Sequence, residues 1–217
     1  MCVLSWLLDL LYPPKCIVCG RLLTDSGPVC PRCMGALPEF DGAAPSVRFT
    51  SGGAVSFFYE GALRESFLRF KFGGAFFYAQ TYGAWMAHTI QDRLAGKFDV
   101  LTWAPVSRAR KRKRGYDQAE LLCREIGKAL GQAPIAALRR IKDPPAQSTL
   151  ADAAARRANV SGAYRPERPE RFAGKRVLIV DDIVTTGATL AECSRTLLHA
   201  GAADVVYAAF AAPRKQD

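Results

Sequence analysis

No apolar run in this sequence is long enough to cross a bilayer. The longest, residues 3–12, is interrupted by Asp9, whereas a spanning helix needs about 18 apolar residues. Export is not expected either: Met1-Cys2 precede the run without basic residues, and Pro13-Pro14-Lys15 follow it in place of a small-residue cleavage site. The expected location is the cytoplasm, without a membrane span. Val3, Leu4, Leu7, Leu8 and Leu11 read instead as one side of a short amphipathic helix packing on its own protein. No internal period recurs, and the 18 glycines and 13 prolines are scattered. That excludes collagen, coiled-coil and low-complexity architectures. Seven cysteines are too few and too unevenly placed for a disulfide-dense secreted scaffold. Gly-x4-Gly-Lys-Ser/Thr is absent as well, which excludes a P-loop nucleotide hydrolase.

What is present fits a globular chain of one mid-sized domain, or one plus a small appendage. Of the 217 residues, 49% are apolar and 23% charged, enough oily surface to offset chain entropy. The net charge of +10 is unevenly spread: residues 1–60 carry 4 basic and 5 acidic groups, residues 61–217 carry 26 and 15. Much of the excess is one run, Arg108-Ala109-Arg110-Lys111-Arg112-Lys113-Arg114. Such a surface favours phosphate-bearing partners, either nucleic acid or a phosphorylated metabolite, and charge does not separate the two.

Four cysteines form the first landmark. Cys16-Ile17-Val18-Cys19 and Cys30-Pro31-Arg32-Cys33 are two CxxC knuckles ten residues apart, spaced for a tetrahedral four-thiolate zinc site. Gly20 and Gly27-Pro28 supply the turns a ribbon requires. About 40 residues cannot hold themselves together with an apolar core, so zinc would substitute for one. With all four positions filled by cysteine the site is closed and structural. A redox CxxC is the alternative, but it normally occurs singly in a thioredoxin-like setting. The expected division is residues 1–45 for the amphipathic helix and zinc ribbon, and 46–217 for the main domain.

Residues 175–180, Lys-Arg-Val-Leu-Ile-Val, read as a buried strand. Asp181-Asp182 follow, then Ile183-Val184-Thr185-Thr186-Gly187-Ala188-Thr189 and a helical pattern closed by Gly201. A last strand over 204–210 completes a βαβ unit, hence a parallel sheet. Thr185-Thr186-Gly187 leads into a helix amino terminus, where unpaired amides and the helix dipole favour an anion. Two carboxylates beside an anion cradle must serve something else, ribose hydroxyls or a Mg²⁺ ion. A 5-phosphorylated ribose satisfies both halves. A second central strand over 99–103 leads to Ala104-Pro105-Val106-Ser107 and the basic run, at a strand end where ligands gather in open α/β sheets. The run reads as six cations beside a pyrophosphate pocket, or as a solvated nucleic-acid patch. Helices are expected over 61–72 and 76–94, their aromatics more in keeping with core than with a base-stacking platform. The turn-rich residues 143–150 are a candidate lid.

The stretch 177–189 closely resembles the binding signature of type I phosphoribosyltransferases, which use 5-phosphoribosyl-1-pyrophosphate (PRPP) with Mg²⁺. The wider order is similar to the ComF family of double-zinc-ribbon, phosphoribosyltransferase-like proteins over nearly the whole chain. It runs from the cysteine quartet through Tyr59-x-Gly61 with Arg64 and Lys71, Pro105, Arg108, Arg110, Arg114-Gly115, Gln118-Ala119, Gln147, Leu150, Arg157, Asn159 and Gly162-Ala163-Tyr164 to the 181–189 loop. One departure is Tyr116-Asp117 where that family usually has Phe-Asn, an extra carboxylate that slightly weakens the inference of anion binding there. The resemblance implies an α/β fold with a parallel sheet flanked by helices and an N-terminal four-cysteine zinc ribbon. It implies catalytic roles for Asp181 and Asp182, and PRPP binding by Thr185, Thr186, Gly187, Ala188, Thr189, Val106, Ser107 and Arg108. Arg110, Lys111, Arg112, Lys113 and Arg114 form a nucleic-acid or anion patch, and Cys16, Cys19, Cys30 and Cys33 hold structural Zn. The family is associated with natural competence and the handling of single-stranded DNA. The expected function is therefore a PRPP/Mg-dependent transferase acting on a phosphorylated or nucleotide substrate. The alternative is a non-catalytic accessory protein that binds single-stranded DNA or PRPP and docks a DNA-translocating, helicase-type partner through its ribbon.

Overall fold

The structure is a computed structural model describing residues 13–23, 27–142 and 161–214. The amphipathic segment, the lid at 143–150 and the arginine-asparagine motif at 156–159 lie outside the described residues. In chain order the elements are α1 (Pro31–Met34), β1 (Gly52–Phe58), α2 (Gly61–Phe72), α3 (Tyr78–Leu94), β2 (Val100–Trp103), α4 (Arg108–Arg114), α5 (Gln118–Leu130), β3 (Leu138–Arg140), β4 (Tyr164–Pro166), a 3-10 turn (Pro169–Arg171), β5 (Arg176–Ile183), α6 (Ala188–His199) and β6 (Asp204–Ala212). The main sheet has the order β1-β6-β5-β2, every pair parallel. β3 and β4 form a separate antiparallel pair. Among the described residues no helix is long and apolar enough to cross a membrane.

Parallel strands buried on both faces are continuously apolar, and successive side chains feed opposite layers. From β5, Leu178 and Val180 join Val206, Ala208 and Phe210 of β6 on the face covered by α2, α3 and α5. Val177 and Ile179 join Val205 and Tyr207 on the face covered by Leu190, Cys193 and Leu197 of α6. Phe210 centres the first layer, its ring 4.6 Å from Phe67 and 4.5 Å from Tyr82. Gly53 of β1 is needed because a Cβ there would lie 2.1 Å from the ring of Tyr207.

Two features add to the sequence reading. The basic run, to which the sequence analysis assigns no element, is a two-turn helix, started by Ser107, whose hydroxyl accepts the Arg110 amide at 3.2 Å, and ended by Gly115 at φ 85°. The aromatics also divide: Phe67 and Phe70 are core, whereas Phe72, Phe76 and Phe77 are exposed around the Gly73-Gly74 turn. Phe72 ends α2 on its outer face, off the stripe of Leu63, Phe67 and Phe70, whereas Phe76 and Phe77 lie in the turn before α3.

The ribbon is built into the same core as the sheet. Cys16, Ile17 and Val18 are buried within the layer that holds Phe67 and Phe70. The Ser66 hydroxyl of α2 donates to the Ile17 carbonyl. Arg69 donates to the carbonyls of Ile17 at 2.9 Å and Val18 at 2.7 Å. The first knuckle thus borrows the main domain's apolar interior, and its turn carbonyls are satisfied from α2. Arg69→Met leaves the Val18 carbonyl without its side-chain donor and the Ile17 carbonyl with Ser66 alone. We expect a loss of about 1–3 kcal/mol in urea unfolding and faster zinc release to a chelator, whereas unchanged release would mean that the ribbon stands independently.

Candidate functional site

β5 runs through the acid pair before it ends. Asp181 is buried and its Oδ1 accepts the Asp182 amide at 2.8 Å. The Oδ1 of Asp182 accepts the Ile183 amide at 2.7 Å, and its Oδ2 lies 2.6 Å from Nζ of Lys71 in the last turn of α2. Burial, then the neighbouring Asp182 charge, pushes the Asp181 carboxyl well above the usual range, with Lys71 pulling the other way. Beyond the acids, Thr185 and Thr186 are exposed and Gly187 opens α6 without a side-chain cap. Thr186 Oγ1 accepts the Ala188 amide at 3.4 Å, while Ala188 and Thr189 are half-buried. Gly187 has φ 70°, and a Cβ there would meet Cγ2 of Val47 at 2.9 Å. Both the handedness of the turn and the packing of Val47 therefore require glycine.

β2 delivers the second half of the site to the same sheet edge. Trp103 pairs with Val180, and the Ala104 amide bonds the Val180 carbonyl at 2.9 Å. Residues 105–107 thus leave the sheet beside Asp181. Asp117 organises them: its Oδ2 accepts the Val106 amide at 2.9 Å and its Oδ1 caps α5 through the Glu120 amide at 3.3 Å. The Val106 amide is therefore spoken for internally. The carboxylate that told against anion binding here is only 3% exposed and serves as a strut.

Because the basic run is helical, its cations point in different directions. Arg108 lines a cleft of about 360 Å³ together with Ser107, Ala109, Arg139, Arg140, Ile141 and Lys142. Lys111 turns away to Glu120 at 2.6 Å, and Arg114 bonds Gln118 at 3.0 Å with its guanidinium 4.9 Å from the Phe72 ring centre. Arg112 and Lys113 are exposed. The run does not converge on one pocket, since a helix turns about 100° per residue. The cleft's other cations come from β3 and the residue pair after it, which sequence reasoning missed. Arg139 pairs with Glu167 at 3.2 Å, and Arg140 bonds the Tyr164 hydroxyl at 3.1 Å. No spacing signal links residues 139–142 to 107–108; the segment before β3 brings them together, tied to β2 by the Ile135 and Ala137 amides and the Thr102 hydroxyl.

The four cysteine sulfurs lie within 4.8 Å of one another, and those of Cys19 and Cys30 are 3.9 Å apart. Zn–S bonds of about 2.3 Å would give a tetrahedral edge of about 3.8 Å, so the donor set fits zinc. Burial opposes ionisation of Cys16, yet the amides of Cys19, Cys30 and Val18 bring its thiol down to about 6. Burial and the neighbouring sulfurs push Cys33 up, a crowding of charge that a divalent cation relieves. Cys123 and Cys193 are core residues whose thiols burial holds well above their ordinary value. At the acid pair the carboxylates suit Mg²⁺ in kind, but the Lys71 ammonium already stands against Asp182.

Burial pushes the Asp117 carboxyl up to about 6, against the amides of Val106 and Glu120. A carboxyl that holds its proton more tightly when folded loses stability as pH rises from its unfolded value, about 3.9, to its folded one. Asp117→Asn removes that loss while leaving a pH-independent cost for one forgone acceptor. Thermal melts should show the variant gaining on the parent by about 2 kcal/mol between pH 4.5 and 7; a constant difference would refute the assignment.

Two family models match the chain: a double zinc ribbon domain over residues 7–44 and a phosphoribosyl transferase domain over residues 113–217. The sheet extends the second unit, because β1 and β2 precede residue 113. DNA utilization protein YhgH of Escherichia coli O157:H7 is 38% identical over 108 residues, 49% of this chain and 46% of that protein. This match spans about half the length of either protein. Competence protein F of Haemophilus influenzae is 26% identical over 198 residues, 88% of this chain and 82% of the relative. Competence protein ComFC of Bacillus subtilis is 27% identical over 145 residues, 67% and 57% of the two chains. The zinc ribbon and the transferase domain share one core here, and the chain is similar, over most of its length, to a protein named for competence, as the resemblance to the ComF family leads one to expect.

Proposed function

We propose that this chain binds PRPP or a closely related ribose phosphate and transfers the ribosyl phosphate to a nucleotide or DNA-derived acceptor. Its kinship with proteins named for competence and DNA utilization supports a role in handling taken-up DNA. The observation that carries the reading is the juxtaposition at one sheet edge of the Asp181–Asp182 pair, the uncapped start of α6 and the cationic cleft at Ser107–Arg108. In this reading Asp181 and Asp182 hold the ribose hydroxyls, residues 185–189 the 5-phosphate, and Arg108, Arg140 and Lys142 the pyrophosphate. Transfer breaks the bond between the anomeric carbon and the pyrophosphate oxygen, and pyrophosphate leaves with the electron pair. The acceptor's lone pair then forms the new bond. Positive charge developing on the ribose lies over fixed carboxylates, and preorganised charge of this kind supplies much of the rate enhancement in many enzymes. Mg²⁺ bound with the pyrophosphate would supply charge neutralisation at the leaving group. Calorimetric titration with PRPP and Mg²⁺, followed by pyrophosphate-release assays, tests the reading. Asp181→Asn and Asp182→Asn should each weaken binding at least tenfold; a parent protein that takes up no PRPP would end it.

A second reading, a single-stranded DNA surface, draws on the exposed aromatics. Phe72, Phe76 and Phe77 are 64%, 59% and 63% exposed, an unusual display beside the basic α4. Non-specific single-strand sites combine such stacking faces with cations, each stacked base being worth about 1–3 kcal/mol. Phe72→Ala with Phe76→Ala should weaken oligo-dT binding at least tenfold in fluorescence anisotropy while leaving PRPP titrations unchanged. Equal loss of both ligands would instead point to a damaged fold.

A further inference from the structure

The contact between Lys71 and Asp182 is not an ordinary surface ion pair. Both side chains are about four-fifths buried, at 20% and 18% exposure, with Nζ 2.6 Å from Oδ2. The backbone that carries the lysine is pinned on several sides. Gln118, itself buried, donates from Nε2 to the Lys71 carbonyl at 3.1 Å, and the Tyr116 hydroxyl donates to the Phe70 carbonyl. One turn earlier, Arg69 and Ser66 tie α2 to the zinc knuckle. The ammonium is therefore held at the acid pair by the fold and does not drift there from solvent. It takes one oxygen of Asp182 while the other receives the Ile183 amide, which fixes the plane of the carboxylate. Each oxygen keeps a lone pair for a hydroxyl donor.

We infer that Lys71 is the resident counter-cation of the acid pair, positioning Asp182 for sugar hydroxyls so that recognition of the ribose phosphate moiety does not require a divalent ion. The inference rests on the ribose-phosphate reading above. It assigns a divalent cation only to ligands that bring a pyrophosphate, and it makes Lys71 a positioning residue that acts through Asp182. A lysine serving merely as a packing group would leave the metal dependence of binding untouched.

Ribose 5-phosphate, which lacks the pyrophosphate, is the discriminating probe. Calorimetry on the zinc-loaded full chain, in EGTA with a trace of free zinc and then in millimolar Mg²⁺, should give affinities within twofold of each other. Lys71→Met should lose at least tenfold without Mg²⁺ and recover most of it with Mg²⁺, while Lys71→Arg should retain metal independence. Unchanged melting and zinc content certify the variants, and Lys71→Gln stands in if the methionine variant does not fold. Ribose 5-phosphate binding that needs Mg²⁺ in the parent, or that is identical in parent and Lys71→Met, overturns the role of Lys71 alone. No binding of ribose 5-phosphate under either condition overturns the ribose-phosphate reading, and this inference with it.

Discussion

A carboxylate pair at the end of a buried parallel strand is unfavourable unless nearby charge and amides compensate it, and the means of compensation link much of this molecule. Asp181 lies inside, where burial favours its protonated form. Asp182 keeps a partner in Lys71, which is supplied by α2 across the sheet edge. The same helix grips the first cysteine knuckle through Ser66 and Arg69. Acid pair, helix and metal ribbon therefore share one piece of scaffold. A group buried against its solvation preference persists only where the surroundings over-determine it, and such groups gather at functional sites.

The ribbon changes character in this light. A short four-cysteine segment suggests a free-standing module held by its ion, ready to dock a partner. Here its first knuckle is interior to the main apolar layer, with Cys16 fully buried. Metal binding and core packing then stabilise the same cooperative unit, since zinc affinity in such sites is folding free energy. The arrangement favours a structural part over an independently mobile arm.

Charge and aromatics are both redistributed by local geometry. Seven consecutive residues, six of them cationic, look like one patch when written as a line. Wound into α4, they divide among a cleft, an acidic neighbour and an aromatic ring. The cleft beside Ser107 instead recruits Arg139, Arg140 and Lys142 from β3 and the residues just after it. Asp117 shows the converse: a carboxylate that is unfavourable in linear order becomes a buried strut for the Val106 turn and the cap of α5.

The sequence alone determined the sheet's central strands, the acid pair at the end of β5, the glycine turn into α6 and the four metal-binding thiols. Each of these is encoded locally, by β-branched runs, by turn residues or by fixed ligand spacing. Tertiary structure alone decided that Lys71 faces Asp182, that Arg140 joins Arg108, that Phe76 and Phe77 lie in an exposed turn between two helices, and that the ribbon is part of the core. Those outcomes depend on which strands become neighbours and where each helix ends. Long-range packing sets both, and no periodicity in the chain reports them.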